Sequence, residues 1–168
     1  MRSTIGIDVA APADLVFRLA RDVERWPDLL PHYARAERTR DPDPQGRVVV
    51  RFVARRPLVR LLGLGLPVAW RSVTWSEPGP PHRLRFVHRG GATNGMDVTW
   101  RIADHAAGGG CRVEIEHDFR PRIGPWAVVV DRWFTRPIAG RTLATFGAIA
   151  EALAAERSDS AGPANPSA

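Results

Sequence analysis

The segment at residues 136–156, RPIAGRTLATFGAIAEALAAE, limits what this chain can become. Ile138, Thr142, Phe146, Ile149 and Leu153 follow at steps of four, four, three and four, which stacks them on one side of an α-helix, with Arg141, Glu151 and Ala155 on the other. A helix with one apolar side has to bury it. Almost everything upstream has the period of β-strand, so the helix is expected to lie across one face of a sheet. Whether the sheet closes on the helix or leaves a cavity beside it is the functional question.

The upstream pattern begins with residues 3–9, where Ile5, Ile7 and Val9 alternate with Thr4, Gly6 and Asp8. Pro12 then opens a short helix with Leu15, Val16, Leu19 and Ala20 on its apolar side, and a second short helix is expected over 23–30. Six strand-like runs follow, at 33–40, 47–55, 68–77, 83–89, 96–103 and 111–120. Turn chemistry rich in Gly and Pro separates them, at 41–46, 77–81, 90–95 and 106–110. Short turns between successive strands imply an antiparallel meander. In the last two runs Met96, Val98, Trp100 and Ile102 share one face, as do Val113, Ile115, His117 and Phe119. Alternation therefore points His117 and Trp100 inward and Asp118 outward, so His117 and Asp118 do not form a dyad.

Composition narrows the chemistry. All 24 cationic residues are arginine; the absence of lysine excludes Schiff-base catalysis, a phosphate-loop lysine and covalent pyridoxal attachment. The formal net charge of +6 favours acidic partners: a protein, an anionic membrane or a nucleic acid. A chain of 168 residues is expected to fold as one domain over 1–157, with a disordered polar tail at 158–168. The lone Cys111 makes no internal disulfide, and no N-terminal apolar run resembles a signal peptide, so a cytoplasmic location is expected. No run approaches the roughly 20 apolar residues of a bilayer span. The five histidines show no metal-ligand spacing on a common element, and neither a metal nor another cofactor is expected.

The order strand, two small helices, six antiparallel strands and a long C-terminal helix resembles the helix-grip superfamily of START domains, the birch-pollen-allergen family and the polyketide cyclase/dehydrase proteins. The resemblance is strongest to the last of these. It rests on Ala11-Pro12 with Val16-Phe17, on Asp22 to Pro27, on His32-Tyr33, on Gly95-Met96 through Trp100, and on His117-Asp118-Phe119. It implies an α+β fold: a seven-stranded curved antiparallel sheet wrapped around the C-terminal helix, with two short helices after strand one.

It also implies a cavity that binds a hydrophobic small molecule. Aldol closure of a poly-β-ketone needs a bent chain held in place, a polarised carbonyl and a route for protons. The family's pocket tyrosine matches Tyr33, the only tyrosine here. Its inward arginine on the fourth strand has no match, because Thr74 stands there and Arg71 alternates to the other face. Tyr33 and His117 are the catalytic candidates. Trp26, Arg51, Trp70, Trp75, Met96, Trp100 and Phe146 are the candidates to contact ligand. Each has a plainer reading as a core or surface residue.

Two stretches stand apart. Residues 57–67, PLVRLLGLGLP, read as a loop packed on the core, a mobile lid or a shallow membrane contact. In residues 125–135, Trp126, Val130 and Trp133 form a helical stripe roughly opposite the later one, and Pro137 is expected to kink or break the helix between them. That first piece roofs the cavity or meets a second subunit in a dimer. Three functions follow: an aromatase/cyclase acting on a polyketide held by an acidic acyl carrier protein; a non-catalytic lipid or quinone carrier in peripheral contact with an anionic membrane; or a ligand-regulated interaction module. Nucleic acid is the weakest partner, as no recognition motif for it is present.

Overall fold

The computed structural model describes residues 1–59, 64–91, 93–121 and 124–160. Strand β1 (Arg2–Val9) is followed by helix α1 (Ala13–Arg21), a 3₁₀ turn (Val23–Arg25) and helix α2 (Trp26–Leu29). Six strands follow: β2 (Tyr33–Arg38), β3 (Val48–Val59), β4 (Leu64–Glu77), β5 (His82–Arg89), β6 (Asp97–Asp104) and β7 (Cys111–Asp118). Helix α3 (Gly124–Val130) then runs through a π-helical turn (Asp131–Thr135) into α4 (Arg136–Ser160).

The strands form one antiparallel sheet in the order β1-β7-β6-β5-β4-β3-β2, so the two helices after β1 carry the chain across the sheet from one edge to the other. Alternation holds where Val50, Phe52 and Ala54 on β3, Leu84 and Phe86 on β5, Val98, Trp100 and Ile102 on β6, and Val113, Ile115 and His117 on β7 are buried, while a register shift between Tyr33 and Arg35 leaves Tyr33 and Ala36 of β2, three apart, both buried. The charged residues between them face solvent.

Trp26 is the hub of the core. Its ring lies 5.6 to 5.8 Å from those of Phe52, Phe86, Trp100 and Phe146, and its Nε1–H donates to the Ala20 carbonyl at 3.0 Å. The indole thus contributes its large apolar area without leaving its one donor unpaired.

Helix α4 crosses the inner face against β1 and α1, but not quite on the expected stripe. Its buried residues are Ala139, Thr142, Leu143, Phe146, Gly147 and Ala150; Ile138, Ile149 and Leu153 flank them, half-buried. The reason is close approach. A Cβ on Gly147 would sit 3.0 Å from Ile7 Cδ1 and 3.5 Å from Val9 Cγ2, so the small residues, and not the largest, mark the line nearest the sheet. By length and composition the run Pro125–Ser160 would pass for a membrane span. That differs from the expectation that no run is long and apolar enough, and 33% of its most apolar window is buried in this core.

Two expectations change. Residues 57–67 are not a free loop: β3 and β4 continue as a hairpin, with Arg55 opposite Pro67 and Pro57 opposite Gly65, and only its tip at 60–63 lies outside the described residues. The lid and membrane-contact readings turn on that tip, which lies outside the described residues. Pro137 does not break the helix either. It has no N–H for the carbonyl four residues back, and the preceding turn widens so that the Arg136 N–H reaches the Asp131 carbonyl. The stripe Trp126–Val130–Trp133 is not buried as a unit: Val130 is buried, while Trp126 and Trp133 are 39% and 50% exposed. Helix α4 runs on to Ser160, so residues 158–160 of the expected tail are helical; 161–168 lie outside the described residues.

Candidate functional site

A cavity of about 80 Å³ lies between the inner face of the sheet, α2 and the start of α4. Its walls are aromatic and aliphatic: Trp26 from α2, Phe52 and Trp70 from β3 and β4, Phe86 from β5, and Met96 and Trp100 on β6 and just before it. Strand parity places each of these inward, and the widened turn before α4 brings Thr135 into the wall beside Ile138 and Ala139.

Two polar groups break the apolar lining. In the first, Thr142 lines the cavity and donates its hydroxyl to the Ile138 carbonyl at 2.9 Å, and His32, which does not itself line the cavity, places Nε2 2.9 Å from Thr142 Oγ1. With the hydroxyl proton so used, His32 carries its proton on Nε2 and donates to Thr142. Tyr33 is in the same group; burial pushes its phenol above the ordinary value, and the Thr142 hydroxyl offsets part of that. In the second group, His88 Nδ1 lies 2.9 Å from Thr93 Oγ1, and His117 stands nearby. Trp70 separates the two, its ring 6.0 Å from Tyr33 and 5.7 Å from His88.

All three imidazoles are neutral at physiological pH. Burial, with the Arg141 charge adding to it, lowers His32 to about 4. Burial and the neighbouring His117 lower His88 to about 3. Burial and, to a lesser degree, Arg136 lower His117 to about 4, against the opposing pull of the Asp131 carboxylate and the Ser3 backbone. Among the described residues His117 Nδ1 has no hydrogen-bond partner, although it is fully buried. An orphan of this kind costs roughly 1–3 kcal/mol, and a ligand hydroxyl donating to it would recover much of that.

The candidate residues divide. Tyr33, His117, Trp26, Trp70, Met96 and Trp100 all line the cavity. Phe146 does not: it packs behind Trp26 and Trp100, at 5.8 and 5.9 Å, and supports the wall. Arg51 and Trp75 are on the outer face. Arg51 alternates with buried Val50 and Phe52, and Trp75 with buried Thr74; the Trp75 Nε1–H donates to Glu77 and Arg85 lies over its ring. Trp70 and Trp75 are an odd number of residues apart, so they could not share a face of one regular strand. Thr74 is buried, Arg71 is exposed, and among the described residues no arginine or carboxylate lines the cavity.

His88 and His32 were not anticipated. His88 was legible, because it continues the inward series Leu84, Phe86 on β5. His32 lies on the link between α2 and β2, where no periodicity applies. No three His, Cys, Asp or Glu side chains group as metal ligands among the described residues.

A seven-stranded antiparallel sheet laid against a long C-terminal helix, with short helices after the first strand and an aromatic cavity between, is the helix-grip architecture of START-like proteins. The sequence profile of one family within it, polyketide cyclase/dehydrase and lipid transport, matches residues 2–156, and the chain belongs to that family. Among solved structures it is similar to the Zhui aromatase/cyclase from Streptomyces sp. R1128, with 21% identity, TM-score 0.71, and coverage of 98% of this chain and 99% of that one. The di-domain aromatase/cyclase BexL, of the BE-7585A biosynthetic pathway, matches at 22% identity and TM-score 0.64 over 88% of this chain, which spans only 45% of the di-domain protein. A START superfamily protein from Mycobacterium smegmatis matches at 15% identity and TM-score 0.61, over 92% of this chain and 97% of that one. At these identities the likeness is one of fold. Comparison with curated protein sequences finds no significant match.

Proposed function

We propose that the protein binds a flat, uncharged, oxygen-bearing hydrophobic molecule and acts as a polyketide cyclase/aromatase, closing or dehydrating a poly-β-ketone delivered by an acidic acyl carrier protein. The observation that carries this reading is the pairing of a neutral phenol with neutral imidazoles inside an aromatic-walled cavity. A ketone oxygen is bound by a neutral donor such as Tyr33. An imidazole lowered to about 4 is unprotonated at pH 7 and free to take a proton from an activated methylene.

In this scheme Tyr33 polarises a carbonyl and stabilises the enolate oxygen. His117 Nδ1 accepts the α-proton and returns a proton to the alkoxide, or to the departing hydroxyl if water is lost. Trp70, between the two polar groups, bears against the face of the bent chain. The net charge of +6 suits an acidic carrier. A cavity of about 80 Å³ is well below the several hundred Å³ of typical ligand pockets, so the substrate has to open it, and half-buried Trp70 is the wall with room to move.

One observation favours the second reading, a non-catalytic lipid or quinone carrier. The inner face has Thr74 where the cyclases have an arginine, and among the described residues no fixed charge lines the cavity to stabilise an oxyanion. Turnover of a carrier-bound poly-β-ketone to a ring-closed product, lost in Tyr33→Phe and in His117→Gln while aromatic ligands still bind, is the outcome expected of the cyclase. A co-purified lipid or quinone in native mass spectra, with no effect of the protein on the product spectrum, would replace it with the carrier.

A further inference from the structure

On the outer face of the sheet, Arg51 of β3, Arg71 of β4 and Arg89 of β5 are direct cross-strand partners: Arg51 is opposite Arg71, and Arg71 is opposite Arg89. Side chains so paired stand about 5 Å apart at Cβ, and like charges in that position repel. A second row on the same face shows how the sheet compensates elsewhere. There Arg83 is opposite Arg101, but Glu77 and Glu114 flank them in register, and Arg83 reaches Glu77 at 4.0 Å. The Arg51 row has one acid, Glu37 opposite Arg51, and Glu37 contacts Arg35 at 3.8 Å instead. Among the described residues none of Arg51, Arg71 and Arg89 reaches a carboxylate.

The three arginines border a recess whose far side is formed by Ala69, Trp70, Gly90 and Gly91. Arg40 and Thr39 extend it into an adjoining hollow beside Arg51 and Arg71. Gly91 adopts φ +72°, and a Cβ there would lie 3.0 Å from the Ala69 carbonyl, so a side chain at this position would crowd the recess wall. Two elements join the recess to the cavity. Trp70 lines both, and the β5–β6 turn supplies Gly90 and Gly91 to the recess and Thr93 to the cavity wall. The recess and the cavity, on opposite faces of the sheet, thus adjoin at Trp70 and at the described residues of that turn.

We propose that the Arg51–Arg71–Arg89 row is a subsite for a phosphate ester whose apolar tail passes over the β5–β6 turn into the cavity. The proposal rests on the cavity-binding reading above and adds the anchor. Guanidinium groups on neighbouring strands present forked donors to the separate oxygens of one tetrahedral anion, and phosphate relieves the repulsion that the row otherwise carries. The ester comes either from the phosphopantetheine arm of an acyl carrier or from a phospholipid headgroup.

The test compares tails that differ only in phosphate, by titration of the full chain at low salt. One pair is dodecanoyl-pantetheine and its 4′-phosphate; the other is a monoacylglycerol and the corresponding lysophosphatidic acid. Phosphate is expected to tighten binding at least about tenfold in one pair, which identifies the source, and the gain should shrink with added salt. The double variant Arg71→Gln/Arg89→Gln should lose that gain, keep its affinity for the uncharged tails and melt no lower than the wild type. Equal binding of phosphorylated and uncharged forms in both pairs, or a gain that survives the double variant, overturns the anchor and leaves the cavity reading in place. Failure of every tail to bind removes the cavity reading and the anchor with it.

Discussion

His32 Nε2 and Thr142 Oγ1 meet at 2.9 Å inside the protein, joining the link before β2 to the long C-terminal helix across 110 positions of sequence. The bond fixes the imidazole tautomer and holds the helix against the aromatic wall beside Tyr33. Thr142→Val preserves shape and removes the hydroxyl, leaving a buried imidazole N–H unpaired. A loss of about 1–3 kcal/mol in chemical denaturation is expected. Binding of keto or hydroxy aromatic ligands should weaken as well. Unchanged stability would mean that His32 finds another partner.

His117 carries the opposite expectation. Its Nδ1 is already an orphan among the described residues, so His117→Phe removes an unsatisfied buried polar atom and adds apolar surface, which offsets the loss of the ring's hydrogen bond to the Ser3 backbone. Stability should be unchanged or higher by up to about 1 kcal/mol, while turnover, or affinity for oxygen-bearing ligands, falls. A large loss of stability would assign His117 to the core and take it out of the site.

Buried His32 and His117 and half-buried His88 make the fold sensitive to acid. Their folded pKa values, about 4 for His32 and His117 and about 3 for His88, lie below the ordinary 6.5. The unfolded chain therefore binds more protons between those limits. The stability they confer is fully present above pH 6.5 and is lost as the pH falls towards 3. A tenfold difference in proton affinity between the folded and unfolded chain is worth about 1.4 kcal/mol, so the three rings together put several kcal/mol at stake. Melting temperature measured from pH 7 to 4 should fall steeply, and less so in His88→Gln/His117→Gln. A flat profile in the wild type would contradict the burial of these rings.

Gly147 sets how closely α4 approaches β1. In Gly147→Leu the new side chain starts from a Cβ only 3.0 Å from Ile7 Cδ1 and has to push the helix off the sheet. Destabilisation of about 1–3 kcal/mol is expected in thermal or urea unfolding. Because Thr142 and Ala139 ride on the same helix, a ligand-binding defect should accompany it.

The outer-face residues show where one-dimensional reasoning stopped short. Arg51 sits between apolar neighbours on both sides, and Val49 and Val53 are half-buried on the solvent face, so hydropathy alone did not distinguish the faces of β3. Trp75 is large and aromatic, yet it covers the outside of β4 with its N–H bonded to Glu77 and Arg85 over its ring. Phe146 faces inward as expected, but a layer of tryptophan separates it from the cavity.

The sequence by itself determined the number and order of the strands, the antiparallel meander, the inward direction of Trp100 and His117, and the burial of one side of the C-terminal helix. These follow from periodicity, which each element carries within its own residues. Only the tertiary structure decided which line of α4 lies deepest, because Ala139, Gly147 and Ala150 act by letting another element come close and leave no hydropathy signal of their own. It alone decided that the turn before Pro137 widens instead of breaking, that His32 meets Thr142, and that three arginines from three strands fall into one row. Each of these depends on register or contact between residues far apart in the chain, which local pattern does not encode.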